Sequence, residues 1–500
     1  MATVTQVQKE AVCPNYVNGQ WVQSSSGRSL ERRNPASRND LLGHVPLSTR
    51  EEIRQAIEAA RRAFPAWRDT PAPVRGKHIM RVARLLEEQQ EEVARLLTRE
   101  EGKTLGESKG EIQRTINILE YTAGESQRLT GETLPSQLPR NFTYTLRQPL
   151  GVVGLITPWN FPVAVPLWKI APALVCGNTV VWKPSELTPF TSRRLVEIFA
   201  QAGLPAGALN MVNGAGDEVG DELVEHPSVR AISFTGSCEV GSLIYAKGAR
   251  QMKKVQCEMG GKNPVIVLED ADLELAAEST VMGAFGSTGQ RCTATSRVIV
   301  TEAVADKFVG LLLKHTRKLK VGNGADPGVD LGPSVDEAQF NKVQEYLEIG
   351  KGEGKLLCGG ERLRGAGYDD GYFTAPTLFD HVQPDARIAQ EEVFGPVLSV
   401  IRVKNFEEAL AVANNIRYGL AASIFTTDAN LVFQFAERIE CGIAHINSPT
   451  VGGEAHVPFG GIKATGVGER ETGSTAIDFY TELKVVYVDY TGRKREGKLY

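Results

Sequence analysis

From Gly151 onward, short β-rich runs alternate with helical stretches, and no other feature of this sequence restricts the fold as tightly. The runs are 152–156, 179–182, 210–212 and 231–234. Leu167, Ile170, Ala171 and Leu174 share one helical face between the first two, and Leu195, Ile198, Phe199 and Ala202 share another between the next two. A strand that returns parallel to its neighbour needs such a crossover, so this order predicts an α/β fold with a parallel sheet covered by helices on both faces. That is the frame of a nucleotide-binding domain, whose ligand sits at the carboxyl ends of the strands. A second βα series starts after Gly260, with a strand over 264–268 and a helix from Leu273, while 322–332 and 352–371 are Gly/Asp-rich connections. At 500 residues the chain exceeds what one core organises, so two or three domains are predicted.

Two helices are predicted ahead of the sheet. Ser48 with Glu51 forms a capping-box pattern, followed by Ile53, Ile57, Ala60 and Phe64 at helical spacing and an expected end near Pro65. Ile79, Val82, Leu86, Val93 and Leu97 mark a longer helix that stops before Gly102. Near the far end, 484–490 reads as a strand with only 142–147 to pair with. Such a ribbon commonly completes a neighbouring subunit's sheet, so a homodimer or homotetramer is expected.

Charge and cysteine usage exclude several classes. A net charge of −4 offers no footprint for nucleic acid, and the dense basic run 314–320 reads as one face of a solvated helix. No run approaches the roughly 20 apolar residues that span a bilayer, and Met1 to Glu10 lacks the apolar core of a secretion signal. The seven cysteines are scattered and never in CxxC spacing, and the seven histidines form no HExxH. Disulfide frameworks, zinc sites and metal hydrolysis are therefore not expected, and a reducing cytoplasm is.

Several residues could carry chemistry. Cys292 lies in GSTGQRCTAT, on a loop leading into a strand over 296–300, where the adjacent Arg291 could lower its pKa and leave a reactive thiolate; the plain alternative is a small buried hydrophobe. Glu258 ends a strand before Met259-Gly260-Gly261-Lys262-Asn263, placed as a general base or as an ion-paired strand end. Asn160, in Thr157-Pro158-Trp159-Asn160-Phe161-Pro162, sits in a proline-stiffened turn and could donate to an oxyanion or cap the next helix. Lys183 and Glu186 stand at the carboxyl end of the second strand, where a carboxylate could accept from both ribose hydroxyls. Gly236 and Ser237 open a helix that could face a pyrophosphate. Gly214-Ala-Gly216-Asp-Glu-Val-Gly220 imitates a dinucleotide fingerprint, but its last spacing is one residue too long.

Together and in this order, PWNFP, KPSE, FTGSxxxG, EMGGKNP, GQRC, EEVFGP and PFGGIK resemble the aldehyde dehydrogenase superfamily over essentially the whole chain. The resemblance implies Cys292 as nucleophile, Glu258 as general base and Asn160 as oxyanion donor. It implies NAD, with NADP possible, as cofactor, contacted by Ile156, Thr157, Pro158, Trp159, Lys183, Ser185, Glu186, Gly216, Phe234, Gly236, Ser237, Met259, Gly260, Glu392 and Phe394. Glu258 points to the hydrolytic rather than the CoA-acylating branch. Implied too are a Rossmann-like cofactor domain (1–126 and 149–258), an α/β catalytic domain (259–460) and an oligomerisation ribbon with the C-terminal segment (127–148 and 461–500).

GSTGQRCTATSRVIV and NSPTVGGEAHVPFGGIKATG look most like the α-ketoglutaric semialdehyde dehydrogenase branch. By the same matching, Phe161, Trp168, Phe285 and Phe459 surround the substrate, Gly286 widens the pocket, and Arg291 and Ser448 are candidates to hold a distal carboxylate, with an ion pair as the alternative for Arg291. The rival readings are a broad-specificity aliphatic or aromatic aldehyde dehydrogenase, a cofactor-independent Cys acyltransferase or esterase, and an inactive structural protein.

Overall fold

The computed structural model describes residues 12–494, so the 1–10 stretch lies outside the described residues. Two large sheets organise the chain. The first has eight strands; its parallel core runs, in spatial order, Leu209–Met211, Thr179–Lys183, Val152–Ile156, Val229–Thr235 and Lys254–Glu258. In chain order this is 3-2-1-4-5, so the direction of strand addition reverses between Val152–Ile156 and Val229–Thr235. The crossover helices Ala164–Val175 and Pro189–Gln201 lie where the apolar spacing places them. The second sheet has seven strands, with Asn263–Val267, Thr295–Thr301, Val397–Val403 and Ala421–Phe425 at its centre, all parallel. Both central sets are buried on both faces, which explains their unbroken apolar runs. Lys355–Cys358 adds an antiparallel edge strand inside a segment expected to be connection alone.

The N-terminal helices differ from their sequence pattern in instructive ways. Thr49, not Ser48, caps Arg50–Asp69: its hydroxyl accepts from the Glu52 amide, and the Glu52 carboxylate accepts from the Thr49 amide at 2.7 Å. That helix also runs through Pro65, because Trp67 beyond it is buried and donates its Nε1–H to the Leu174 carbonyl at 3.1 Å. The longer pattern splits into Ala72–Glu88 and Gln90–Glu101, and Gly102 ends the second with φ +102°. A fourth helix, Leu105–Glu125, is not anticipated by the sequence pattern.

At the far end, Thr481–Asp489 pairs antiparallel with Asn141–Pro149, with Val488 opposite Phe142 and Lys484 opposite Leu146. Thr133–Leu134 extends this ribbon on one side only, leaving Thr481–Asp489 as its outer edge.

Candidate active site

The loops leaving Val152–Ile156 and Val229–Thr235 diverge where the strand order reverses, and a crevice opens between them. It holds a cavity of about 210 Å³. Pro158, Trp159, Asn160 and Phe161 line it from the first loop, and Thr235, Gly236 and Ser237 from the second. Glu258, Met259 and Gly260 enter from the next strand end, and Cys292, Thr293, Glu392 and Phe394 from the seven-stranded part.

Cys292 follows a tight turn, Gly286–Gly289, in which Ser287, Thr288 and Gly289 take left-handed φ values of 50°, 59° and 69°. For the two non-glycine residues this costs about 1–2 kcal/mol each, so the surroundings must hold the loop. Thr288 Oγ1 donates to the Gly332 carbonyl (3.0 Å), Gln290 Nε2 to the Pro333 carbonyl (3.3 Å) and Asn263 Nδ2 to the carbonyl of Cys292 itself (2.8 Å). A Cβ on Gly289 would stand 2.2 Å from the Gly395 carbonyl oxygen, so room and conformation alike demand glycine there.

The electrostatics of the thiol correct one expectation. Burial, then Glu258 and Glu392, push the Cys292 thiol up to about 12, against the opposing pull of Arg114 and the Thr293 amide. Arg291 does not lower it. Its Nε donates to Ser287 Oγ (3.0 Å) and its Nη2 pairs with Glu107 (3.2 Å), so it braces the loop and is absent from the cavity wall. A Cβ on Gly286 would meet that guanidinium at 3.2 Å, so the glycine makes room for Arg291 rather than for a substrate.

Glu258 is buried at its strand end, and its carboxylate accepts from the Gly461 amide at 3.3 Å. Burial and the neighbouring Glu471 raise its pKa well above the usual carboxylate range, partly offset by Arg470 and Lys169. Glu471 is itself paired with the buried Lys169, which also donates to Ser233 Oγ at 2.8 Å. Asn160 does not cap the following helix. Its Nδ2 donates to the Gln290 carbonyl at 3.0 Å, two residues before Cys292. The amides of Val163 and Ala164, which start that helix, are taken instead by Glu111 Oε1 at 2.8 and 3.0 Å.

On the side of the strand ends, the geometry suits an anionic ligand bearing hydroxyl groups. Ser237 caps the Cys238–Ala249 helix, leaving its positive end toward the cavity. Thr235 Oγ1 is buried without a partner. Glu392 lies against Gly260, where a Cβ would be 2.4 Å from its oxygen, and accepts the Gly261 amide at 2.8 Å. Phe394, at φ 59°, meets Trp159 edge-on at 5.5 Å and has its carbonyl held by Gln339 Nε2. Ile156, Thr157, Lys183, Ser185, Glu186, Gly216 and Phe234 lie outside the cavity wall. Lys183 Nζ donates to Glu186 Oε1 at 3.0 Å, Thr157 Oγ1 accepts from Trp182 Nε1, and Ile156 and Lys183 lie beneath Gly220 of the turn that Gly216 opens.

Phe161, Trp168 and Phe459 form the remaining wall, the last two 5.5 Å apart. Phe285 and Ser448 do not join them: Phe285 is 1% exposed in the core of the second sheet, and the Ser448 carbonyl is engaged by Ser423. Arg114, Gln339 and Lys342 line the cavity and were not expected there. For Arg114 the signal was its spacing from Glu107, Glu111 and Ile118, which puts all four on one helical face. The exposed Glu274 and Glu278 and the half-buried His315 bring their ligand atoms within 4.8 Å of one another, but Glu274 is already bonded to Lys314 and His315.

Residues 21–486 match the aldehyde dehydrogenase family. The chain is 47% identical to an α-ketoglutaric semialdehyde dehydrogenase of Bacillus subtilis, over 95% of this chain and 97% of that one. It is 44% identical to a 2,5-dioxopentanoate dehydrogenase of Saccharolobus solfataricus, over 93% and 97%. Among solved structures, a betaine aldehyde dehydrogenase of Staphylococcus aureus in complex with NAD+ superposes with a TM-score of 0.94 at 36% identity, covering 96% of this chain and 95% of that one. By sequence along nearly its whole length and by fold, this chain belongs to the aldehyde dehydrogenase family and is an NAD(P)-dependent oxidoreductase of it.

Proposed function

We propose that this enzyme oxidises a short semialdehyde, an aldehyde with a carboxylate at its other end, to the corresponding diacid, with NAD as the preferred acceptor. The observation that carries the substrate class is Arg114. Its guanidinium lies 5.5 and 5.9 Å from the Trp168 and Phe459 rings in the cavity wall; the residue is half-buried, its Nε is enclosed without a partner, and burial lowers its pKa. A buried cation costs free energy unless an anion joins it, so the pocket is built to receive one. The names of the two relatives, both enzymes of short oxo-acids, agree. Arg114 thus takes the role first considered for Arg291 and Ser448.

In this reading the Cys292 sulfur, once deprotonated, attacks the aldehyde carbon, and the alkoxide that forms is held by Asn160 Nδ2 and the Cys292 amide. The nicotinamide cofactor, when bound, supplies the acceptor for the hydride, which leaves Cys292 as a thioester. Trp159, Ser237, Glu392 and Phe394 line the cavity and would orient that ligand, while Lys183 and Glu186, paired with each other outside the cavity wall, would meet its ribose only where the ligand extends beyond the cavity. Glu258 then takes a proton from water, the hydroxyl adds to the thioester carbon, and the C–S bond breaks to release the acid.

The test compares kcat/KM for succinic semialdehyde and butanal. The expected preference for the semialdehyde is about 10- to 100-fold, the worth of a charged hydrogen bond, and Arg114→Leu should abolish it: both substrates slow as the thiol loses a cation that favours its anion, but the semialdehyde loses the further 10- to 100-fold. A wild-type preference for butanal would overturn the proposal in favour of a broad-specificity enzyme.

The domain assignment given above, with 127–148 and 461–500 as an oligomerisation ribbon, is part of the same reading, supported by the outer strand Thr481–Asp489. So is a reducing, cytoplasmic location, supported by seven free cysteines; no helix among the described residues is long and apolar enough to cross a membrane.

A further inference from the structure

The Leu105–Glu125 helix touches both loops on which the reaction depends, through the half-buried Glu107, which also closes the helix's capping box with Thr104, and the buried Glu111. Glu107 and Glu111 stand four residues apart on the face that also presents Arg114 to the cavity. Glu107 Oε1 accepts from the Ser287 amide and from Arg291, holding the left-handed turn before Cys292. Glu111 Oε1 accepts from the amides of Val163 and Ala164, just past Asn160. Its other oxygen, Oε2, accepts from Lys103 Nζ at 2.7 Å, and that ammonium also donates to the carbonyl oxygen of Asn160 itself at 2.6 Å. Lys103 and Glu111 are almost fully buried, with side chains 1% exposed.

An ion pair placed this deep gains little stability over an apolar pair of the same volume, because desolvation offsets the attraction. What it does supply is direction. Both partners spend their hydrogen bonds on residues 160–164, so the Asn160 backbone is fixed from its carbonyl side and from the helix that follows.

We propose that the buried Lys103–Glu111 pair positions the Asn160 amide against the Cys292 loop, with the Leu105–Glu125 helix as the common brace for both. Lys103 and Glu111 are positioning residues: neither lines the cavity, and both act through Asn160. The inference rests on the oxyanion role given to Asn160 above.

The test is a double-mutant cycle read by single-turnover hydride transfer at saturating NAD. Asn160→Ala alone should slow that step by about 10²–10³-fold, the usual effect of losing an oxyanion donor; no slowing would refute the role of Asn160 rather than of the pair. Glu111→Gln should slow it by about 10- to 100-fold in the wild-type background, as expected for a donor displaced by up to an ångström. In the Asn160→Ala background Glu111→Gln should have almost no further effect, because residues that act through one group are not additive. Since Glu111→Gln leaves a buried ammonium unpaired, the cycle is repeated with Lys103→Met/Glu111→Gln, which removes both charges. Alkylation of Cys292 by iodoacetamide, which builds no alkoxide on a carbonyl, should be unchanged in either variant. The proposal is overturned if the losses from Asn160→Ala and Glu111→Gln multiply, or if alkylation falls in step with hydride transfer.

Discussion

A carboxyl group buried beside a second carboxyl gives up its proton late, and Glu258, with Glu471 behind it, is in that position. Its charge in turn is the largest influence after burial that holds the Cys292 thiol up near 12. The two groups therefore titrate against each other, and both become competent as pH rises: the thiol by losing its proton, the carboxyl by becoming able to accept one. Glu258→Gln should separate these effects. Without the carboxylate the thiol loses a neighbour that disfavours its anion, so the pH profile of Cys292 alkylation should move to lower pH, while steady-state turnover falls about 10²–10⁴-fold for want of the base. An unshifted alkylation profile, or full turnover, would contradict this pairing. Cys292, Glu258 and Asn160 were legible as residues because their motifs are local. For Arg291 the structure shows the ion pair that the sequence leaves as its alternative and not a place beside the thiol, because adjacency in sequence says nothing about direction: its guanidinium turns to Glu107, 184 positions away. Arg114 carried no local motif, and its meaning comes from the aromatic wall that folding brings around it.

At the level of elements, apolar periodicity located the central strands to within one or two residues and the buried face of each crossover helix, though not where those helices begin, because only the faces that pack on apolar neighbours carry the signal. It could not show the Leu105–Glu125 helix in the same way. That helix buries Ser108, Glu111, Thr115, Thr122 and Glu125 alongside Ile112, Ile116 and Leu119, so its inward face is half polar and the apolar period is blurred. At the end of the Thr179–Lys183 strand two adjacent charges stand together, with Lys183 Nζ 3.0 Å from the Glu186 carboxylate. If the cofactor's ribose binds there as proposed, Glu186 would repel a 2′-phosphate and Lys183 would attract one. NAD should therefore be preferred over NADP by a modest factor, roughly tenfold in kcat/KM. In Glu186→Ser the ammonium is left without its counter-charge, and the preference should move toward NADP. A wild-type enzyme that favours NADP, or a Glu186→Ser enzyme that favours NAD more strongly, would refute this account.

Across the whole molecule, the ribbon formed by Asn141–Pro149 and Thr481–Asp489 ends in a strand with no neighbouring strand on its outer side among the described residues. Its outer strand carries Leu483, Val485 and Tyr487 at 62%, 49% and 71% exposure, on a backbone whose outward N–H and C=O groups find no strand among the described residues. A long, exposed and apolar edge is what soluble proteins otherwise shorten, charge or cover, so a second copy of the chain is the natural cover. The Cys238–Ala249 helix adds a second candidate surface, with Val240 and Leu243 at 47% and 63%. Light scattering should accordingly give a mass that is a multiple of the 54.4 kDa chain. Placing charge on the strand with Leu483→Glu and Tyr487→Glu should reduce that mass without weakening NAD binding, because neither residue lines the cavity. A wild-type enzyme that scatters as a single 54.4 kDa chain would show that the edge is left open in solution. A variant that keeps the wild-type mass would place the interface elsewhere, with the Cys238–Ala249 helix then the surface to charge through Leu243→Glu.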